Sequence, residues 1–358
     1  MEAGRDGARH GAGPSGGSHV GDMGASLRQD THVADMIPPR RAVRARPASP
    51  RPVRGRPAQV ARPSRVRLWV DRCGGSRGRL GWPTEGGGSA AVGRRANAAG
   101  LVAGYALDSL LGDPRRWHPV AGFGRAAGAL ERRVYRPDRA AGTTFTALAV
   151  GVPVLVGVAA TVATRRRPVG RAVLMAAATW TVLGGRTLRH EAKMMGRALR
   201  GGDLPAARRR LGHLCGRDPS TLDEPELARA TVESVAENTS DAVVAPLLWG
   251  AVAGLPGLLG YRAANTLDAM VGHRSPRYAR FGTPSARLDD LLNLAPSRLT
   301  GLLTIAVAPA AHGDRGRAWR VWLRDRNDHP SPNAGQCEAA MAGVLGVRLG
   351  GRNVYFGR

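Results

Sequence analysis

Aromatic side chains are scarce in this sequence, at 4% of 358 residues, and lysine is nearly missing, Lys193 being the only one. With so few Phe, Tyr and Trp, any core must be built from Ala, Val, Leu and the 49 glycines. That composition suits helices approaching closely in a bilayer better than an aromatic-filled soluble core. The three cysteines, Cys73, Cys215 and Cys337, form no CxxC or Cys/His pattern, which excludes a disulfide framework and a zinc-finger site. From Ala96 onward no Walker loop, GxGxxG or HExxH occurs, so the familiar nucleotide and metal motifs cannot account for the polar residues that are present.

Cationic charge is abundant: the net charge is +26, carried almost wholly by arginine. Residues 1–95 hold 18 Arg against 7 acids. Because arginine stands wherever a cation is needed, the excess is compositional. No basic stripe interleaved with stacking aromatics accompanies it, which argues against a nucleic-acid partner.

Residues 1–95 are rich in Gly, Pro, Arg and Ser, as in Pro38-Pro39-Arg40-Arg41. They offer too little apolar surface to offset their ordering entropy, which predicts a disordered N-terminal extension. A translation start set too far upstream explains it as well as a functional tail does. Its Arg clusters lack the apolar stretch and cleavage site of a signal peptide.

From Ala96 onward, apolar stretches alternate with Arg-bearing loops. Gly142 to Thr164 carries no charge over a length close to the ~20 residues that cross hydrocarbon. Arg165-Arg166-Arg167-Pro168 stops it, and Ala172 to Gly185 follows, predicting a helical hairpin. Three weaker segments are Ala98 to Leu111, Ala242 to Tyr261 and Leu299 to Ala311. The second contains Gly254-Leu255-Pro256-Gly257, so it can dip into a membrane and return where protein covers its broken backbone. Between Arg186 and Ala230 the chain is polar, with Ala192, Met195, Leu199, Leu211 and Leu214 at spacings a helix face uses, predicting a cytoplasmic or surface segment. The fold class expected is mainly α: a polytopic helical membrane protein with cytoplasmic helical loops, residues 96–358 forming the membrane-embedded unit.

Polar clusters sit beside these segments, where ionisable groups are costly and therefore candidate functional groups. Asp113, His118 and Arg125 form a lip that can contact substrate, although an Asp-Pro turn explains Asp113 equally well. Glu233, Glu237 and Asp241 stand at successive four-residue spacings, on one helix face, and like charges there gain most from a bound cation such as Mg²⁺. Asn265 with Asp268, and Asp289 and Asp290 with Asn293, repeat the pattern; helix caps are the alternative for the first pair. Arg298 either clamps a phosphate or marks a membrane interface. Ser331-Pro332-Asn333-Ala334-Gly335 reads as a turn entering a helix whose first N–H groups can hold an anion.

Together these segments resemble the adenosylcobinamide-phosphate synthase family, the cobalamin biosynthesis proteins of the CobD/CbiB type. The matching stretches, in order, are Gly112 to Val120, Glu233 to Asp241, Asn265 to Gly272, Ala286 to Asn293, Pro296 to Leu299, Ser331 to Gly335 and Leu349 to Gly351. The resemblance implies a multi-pass cell-membrane enzyme. It would use ATP and Mg²⁺ to join aminopropanol, or its phosphate, to a side-chain carboxyl of adenosylcobyric acid, alongside other corrinoid-pathway enzymes. On that reading Glu233, Asn238, Asp241, Asp268, Asp289, Asp290 and Arg298 serve catalysis, and Glu233, Asp241, Asp289 and Asp290 hold Mg²⁺. Asp113, His118, Arg125, Asn265, Asn293, Ser331 and Asn333 contact substrates. Family members generally continue past the Leu349 to Gly351 motif, so a C-terminal stretch is expected to be missing. A transporter and a non-catalytic scaffold for corrinoid enzymes are the rival readings.

Overall fold

Aspartate starts four of the helices. Asp138, Asp203, Asp223 and Asp314 each accept a backbone N–H of the turn that follows, satisfying donors a helix start leaves open. Asp223 does so within a full capping box with Glu226. This computed structural model describes residues 85–113, 118–273 and 275–351; most of the predicted extension therefore lies outside the described residues.

Eleven α-helices follow one another, with no strand among the described residues: α1 (Glu85–Leu111), α2 (Pro119–Val134), α3 (Arg139–Ala163), α4 (Pro168–Val182), α5 (Gly185–Arg200), α6 (Leu204–Leu211), α7 (Glu224–Thr239), α8 (Ala245–Val271), α9 (Thr283–Ala306), α10 (Arg315–Asp325) and α11 (Ala334–Leu345). A π-turn, Ser240–Val244, joins α7 to α8. Helix α1 begins at Glu85, ahead of the boundary expected at Ala96.

Small residues set the packing. At Gly104 of α1, an added Cβ would lie 2.4 Å from Thr179 Cβ of α4, so these helices touch backbone to backbone. Helix α3 packs instead against α8. The hairpin expected from α3 and α4 is thus only a shared turn, because each helix buries its small-residue face on a different partner. The polar segment after α4 behaves as expected: Met195, Leu199, Leu211 and Leu214 are buried in a cluster of their own with Leu227 and Ala230. Asp108 of α1 accepts the Arg186 N–H at 3.3 Å, capping α5 from outside.

Helix α8 does not run straight. At Gly254 the backbone takes φ 64° and ψ −148°, a region essentially open only to glycine. The chain doubles back there: a Cβ at Gly257 would lie 2.4 Å from Trp249 O, although eight residues of straight helix span ~12 Å. The return leg brings the Tyr261 hydroxyl to Asp241 O at 3.4 Å. The return of the chain expected from the broken backbone is therefore the observed geometry. Gly157 of α3 receives the bend, since a Cβ there would lie 2.7 Å from Pro256 Cα, while Phe145, ~18 Å earlier on α3, packs with Leu267, Val271 and Phe281 at the base.

Among the described residues, two helical stretches are long and apolar enough to cross a membrane, Arg139–Ala163 and Glu224–Val271, and the second contains this reversal. Gly254→Ala should cost about 1–3 kcal/mol through backbone strain. Gly124→Ala, on α2 with nothing within 4 Å of the new Cβ, should gain about 0.5–1 kcal/mol from helix propensity. Thermal unfolding of the two purified variants should therefore shift in opposite directions.

Candidate functional site

Where the base of the α8 hairpin meets α9 and the start of α11, acids and amides from three parts of the sequence converge. They line a cavity of about 240 Å³ that includes Glu237, Ser240, Asp241, Asp268, Asp289, Asp290, Asn293, Ser297, His329, Ser331 and Asn333. A larger cavity, about 1280 Å³, adjoins it and shares Asp290, His329 and Ser331.

Each wall has a local cause. The π-turn falls on the lip of the cavity, with Ser240 and Asp241 in its first residues; such turns recur at functional sites. Gly272 leaves room for Asp268, since a Cβ there would lie 1.8 Å from Asp268 Oδ1. On α9, Asp289 accepts the Asn293 amide at 3.0 Å and the Asn265 amide at 3.3 Å. Tyr261 donates its hydroxyl to Asn293 Oδ1 at 2.9 Å. Asn333 donates to Asp290 O at 2.8 Å and accepts the Ser297 hydroxyl at 3.2 Å. The amides thus orient the acids rather than standing free.

Electrostatically the cavity is predominantly acidic, with Arg287 near Asp290 and Arg262 near Asp241 as its guanidiniums. Among the described residues, no Arg or Lys lies within ion-pair distance of Asp241, Asp268, Asp289 or Asp290. Burial pushes both the Asp289 and the Asp290 carboxyls above the usual range, and the charge of Asp290 adds to the rise at Asp289. Arg262, on α8, faces Asp241 and Asp113; its Nε finds no hydrogen-bond partner. Carboxylates gathered at low dielectric repel strongly unless a cation joins them. Oxygen donors from carboxylates are what Mg²⁺ takes, and the donor set fits that ion.

The structure brings together eight of the residues singled out from the sequence on the cavity wall: Glu237, Asp241, Asp268, Asp289, Asp290, Asn293, Ser331 and Asn333. Asn265 stands behind them through Asp289. Others are placed elsewhere. Glu233, two helical turns or ~12 Å from Asp241, is buried in an ion pair with Arg217 at 2.9 Å and accepts the Gly350 N–H at 2.7 Å. Asn238 donates to Leu214 O at 3.1 Å, anchoring the α6–α7 connection. Arg298 donates to Leu294 O of its own helix. His118 caps α2 through Val120 N, and Asp113 accepts the Thr187 hydroxyl at 2.7 Å; neither these nor Arg125 line the cavity.

The anion site expected at the α11 start is also altered. Ser331 Oγ accepts the N–H groups of Asn333 and Ala334, each at 3.3 Å, so those donors are already used. Glu237, Ser240, Ser297, His329 and Glu338 were not assigned from the sequence. Glu237 alone carried a signal, as the middle acid of the four-residue series.

Removing one of the unpaired charges should relieve repulsion. Asp290→Asn is expected to stabilise the metal-free protein by roughly 1–2 kcal/mol, the scale of partly screened like charges. It should also abolish the rise in melting temperature on adding Mg²⁺. A lower melting temperature without metal would show that Asp290 is held by attraction.

Comparison with known proteins now adds to this geometry. The family model described as CobD/Cbib protein matches residues 101–358. The Cobalamin biosynthesis protein CobD of Mycobacterium tuberculosis (strain H37Rv) is 51% identical over 261 residues, 72% of this chain and 82% of that protein. The protein of the same name from Geobacter metallireducens is 50% identical over 259 residues, 70% and 81% of the two chains. That of Rhodobacter capsulatus is 43% identical over 271 residues, 73% and 84%. No solved structure matches the chain. By the extent of these matches, the chain belongs to the CobD/CbiB family of cobalamin biosynthesis proteins.

Proposed function

We propose that this chain is a membrane enzyme that joins aminopropanol, free or as its phosphate, to a side-chain carboxyl of adenosylcobyric acid at the expense of ATP. The observation that carries the reading is the meeting of four carboxylates, none in an ion pair among the described residues, and of a small polar cavity with a much larger one. A carboxylate does not react with an amine until it is activated, and phosphorylation by ATP is the activation for which an acidic, cation-seeking pocket is suited. Mg²⁺ bound there would offset charge on the phosphoryl group.

The residues that would hold the ion are Asp241, Asp268, Asp289 and Asp290. Asp268 takes the place expected for Glu233, whose charge Arg217 already neutralises. Asn265 and Asn293 fix Asp289, and Asn333 ties α9 to the turn before α11, so the carboxylates keep their directions while substrate charge changes. Arg262 replaces Arg298 as the guanidinium beside the acids. The cavity of about 1280 Å³ exceeds the usual ~300–1,000 Å³ of small-ligand pockets, as a corrin substrate requires.

Membrane embedding is supported by apolar side chains turned outward. Val102, Leu110, Leu148, Val152, Leu155, Val156, Val169 and Val173 are exposed on α1, α3 and α4, and large exposed apolar area marks a lipid or protein contact.

The full chain should restore cobinamide-phosphate formation from cobyric acid in a bacterial strain lacking its aminopropanol-attaching enzyme. Asp289→Asn and Asp290→Asn should each lower it by roughly 100-fold or more, as loss of transition-state charge stabilisation does. Arg298→Ala should stay within a few-fold. No product from an inserted, stable protein would overturn the ligase reading.

A further inference from the structure

One pair of acids in the same region has no part in the arrangement just described. Glu237 of α7 and Glu338 of α11 bring carboxylate oxygens within 4.8 Å of each other. Among the described residues no arginine or lysine lies within ion-pair distance of either. Glu237 lines the small cavity and Glu338 the large one, with His329 on both. The pair therefore stands in the partition between them, where an activated carboxyl and its attacking group would have to meet.

Two further observations say what the pair is built to hold. Ser240 Oγ, on the cavity wall, belongs to a residue only 2% exposed and makes no well-formed hydrogen bond; its one polar neighbour of note is the weakly donating Cys337 thiol. His329 Nδ1 accepts the Ser331 N–H at 3.0 Å, which puts the ring proton on Nε2, 4.0 Å from Glu338 Oε1. The atoms of Glu237, His329 and Glu338 are close enough together for a metal ion. Yet a metal on Nε2 would move the proton to Nδ1, against the Ser331 N–H, whereas metal-bound histidines donate from the other nitrogen to an acceptor. What remains is two carboxylates and an uncommitted hydroxyl: acceptors on several sides, and no free lone pair on the imidazole. A ligand that only donates, carries positive charge and spreads three N–H bonds matches that set.

Resting on the ligase reading above, we infer that Glu237, Glu338 and Ser240 form the site that binds the primary ammonium group of the amine donor. Binding places the nitrogen in the partition, one side toward the acidic pocket and the other toward the large cavity. The ammonium then sits between the two carboxyls, in contact with each.

The test needs no turnover. Binding of 1-aminopropan-2-ol and of its O-phosphate to the full chain in nanodiscs is measured by titration calorimetry, with propane-1,2-diol and its phosphate as amine-free controls. The amines should bind and the diols should not. Glu237→Gln and Glu338→Gln should each weaken the amine at least about 10-fold, the loss of one charge-assisted hydrogen bond, while Glu224→Gln, at the exposed start of α7, binds it as wild type does. Should either Gln variant fail to insert, Ser240→Ala serves: it should weaken the amine a few-fold without lowering the melting temperature of the amine-free protein. Diols binding as tightly as amines, or amine affinity unmoved by these substitutions, would overturn the inference. So would Mn²⁺ binding, followed by electron paramagnetic resonance, that is lost in Glu338→Gln and His329→Ala while amine binding persists. Selective amine binding in a chain that fails complementation would leave this site standing and remove the ligase.

Discussion

The reversal of α8 at Gly254 is the constraint on which the candidate site depends. Only a residue without a Cβ accepts that backbone conformation at little cost, and without it Asp241 and Asn265 would lie at opposite ends of one long apolar helix. With it, the two polar ends return to the same level and Tyr261 reaches Asp241 O. Gly157 and Gly104 extend the same logic outward: α3 can receive the bend, and α4 can pack against α1, because those backbones carry no side chain at the contact. A sequence short of aromatics and rich in glycine is what such packing needs.

Charge then separates structure from chemistry. Glu233 is buried, but Arg217 and the Gly350 N–H complete its hydrogen bonds, and its position ties the Leu349–Gly351 turn to α7. Asp289 is equally buried, yet it receives only neutral amides. A buried acid with a guanidinium partner is stabilised in place, whereas one held by amides keeps its charge available to a cation or substrate. Glu233 lies on α7 and Asp289 on α9, each in an acid-rich helical stretch, and local sequence does not distinguish the two outcomes.

Much was legible because the relevant rules are local. Periodicity found the buried faces of α5 and α6 through Met195, Leu199 and Leu211, and Gly254 with Pro256 announced the break in α8. The acid and amide motifs supplied most of the cavity wall. The same local rules misled where a partner from elsewhere decided the result. The α3–α4 hairpin failed because each helix found a better small-residue face on another element. The helix start at Ala334 offered N–H groups that Ser331 had already taken.

By itself the sequence determined the helical class, the apolar segments, the return of α8 and the family, since each is written in spacing, composition or ordered motifs. Only the tertiary structure decided which acids share a cavity, that Arg262 rather than Arg298 stands beside them, and that Glu237 meets Glu338. Those pairings join residues up to about a hundred positions apart, and their energies depend on burial and on the charge of neighbours. No window along the chain contains that information; it exists only once helices from three parts of the sequence are packed together.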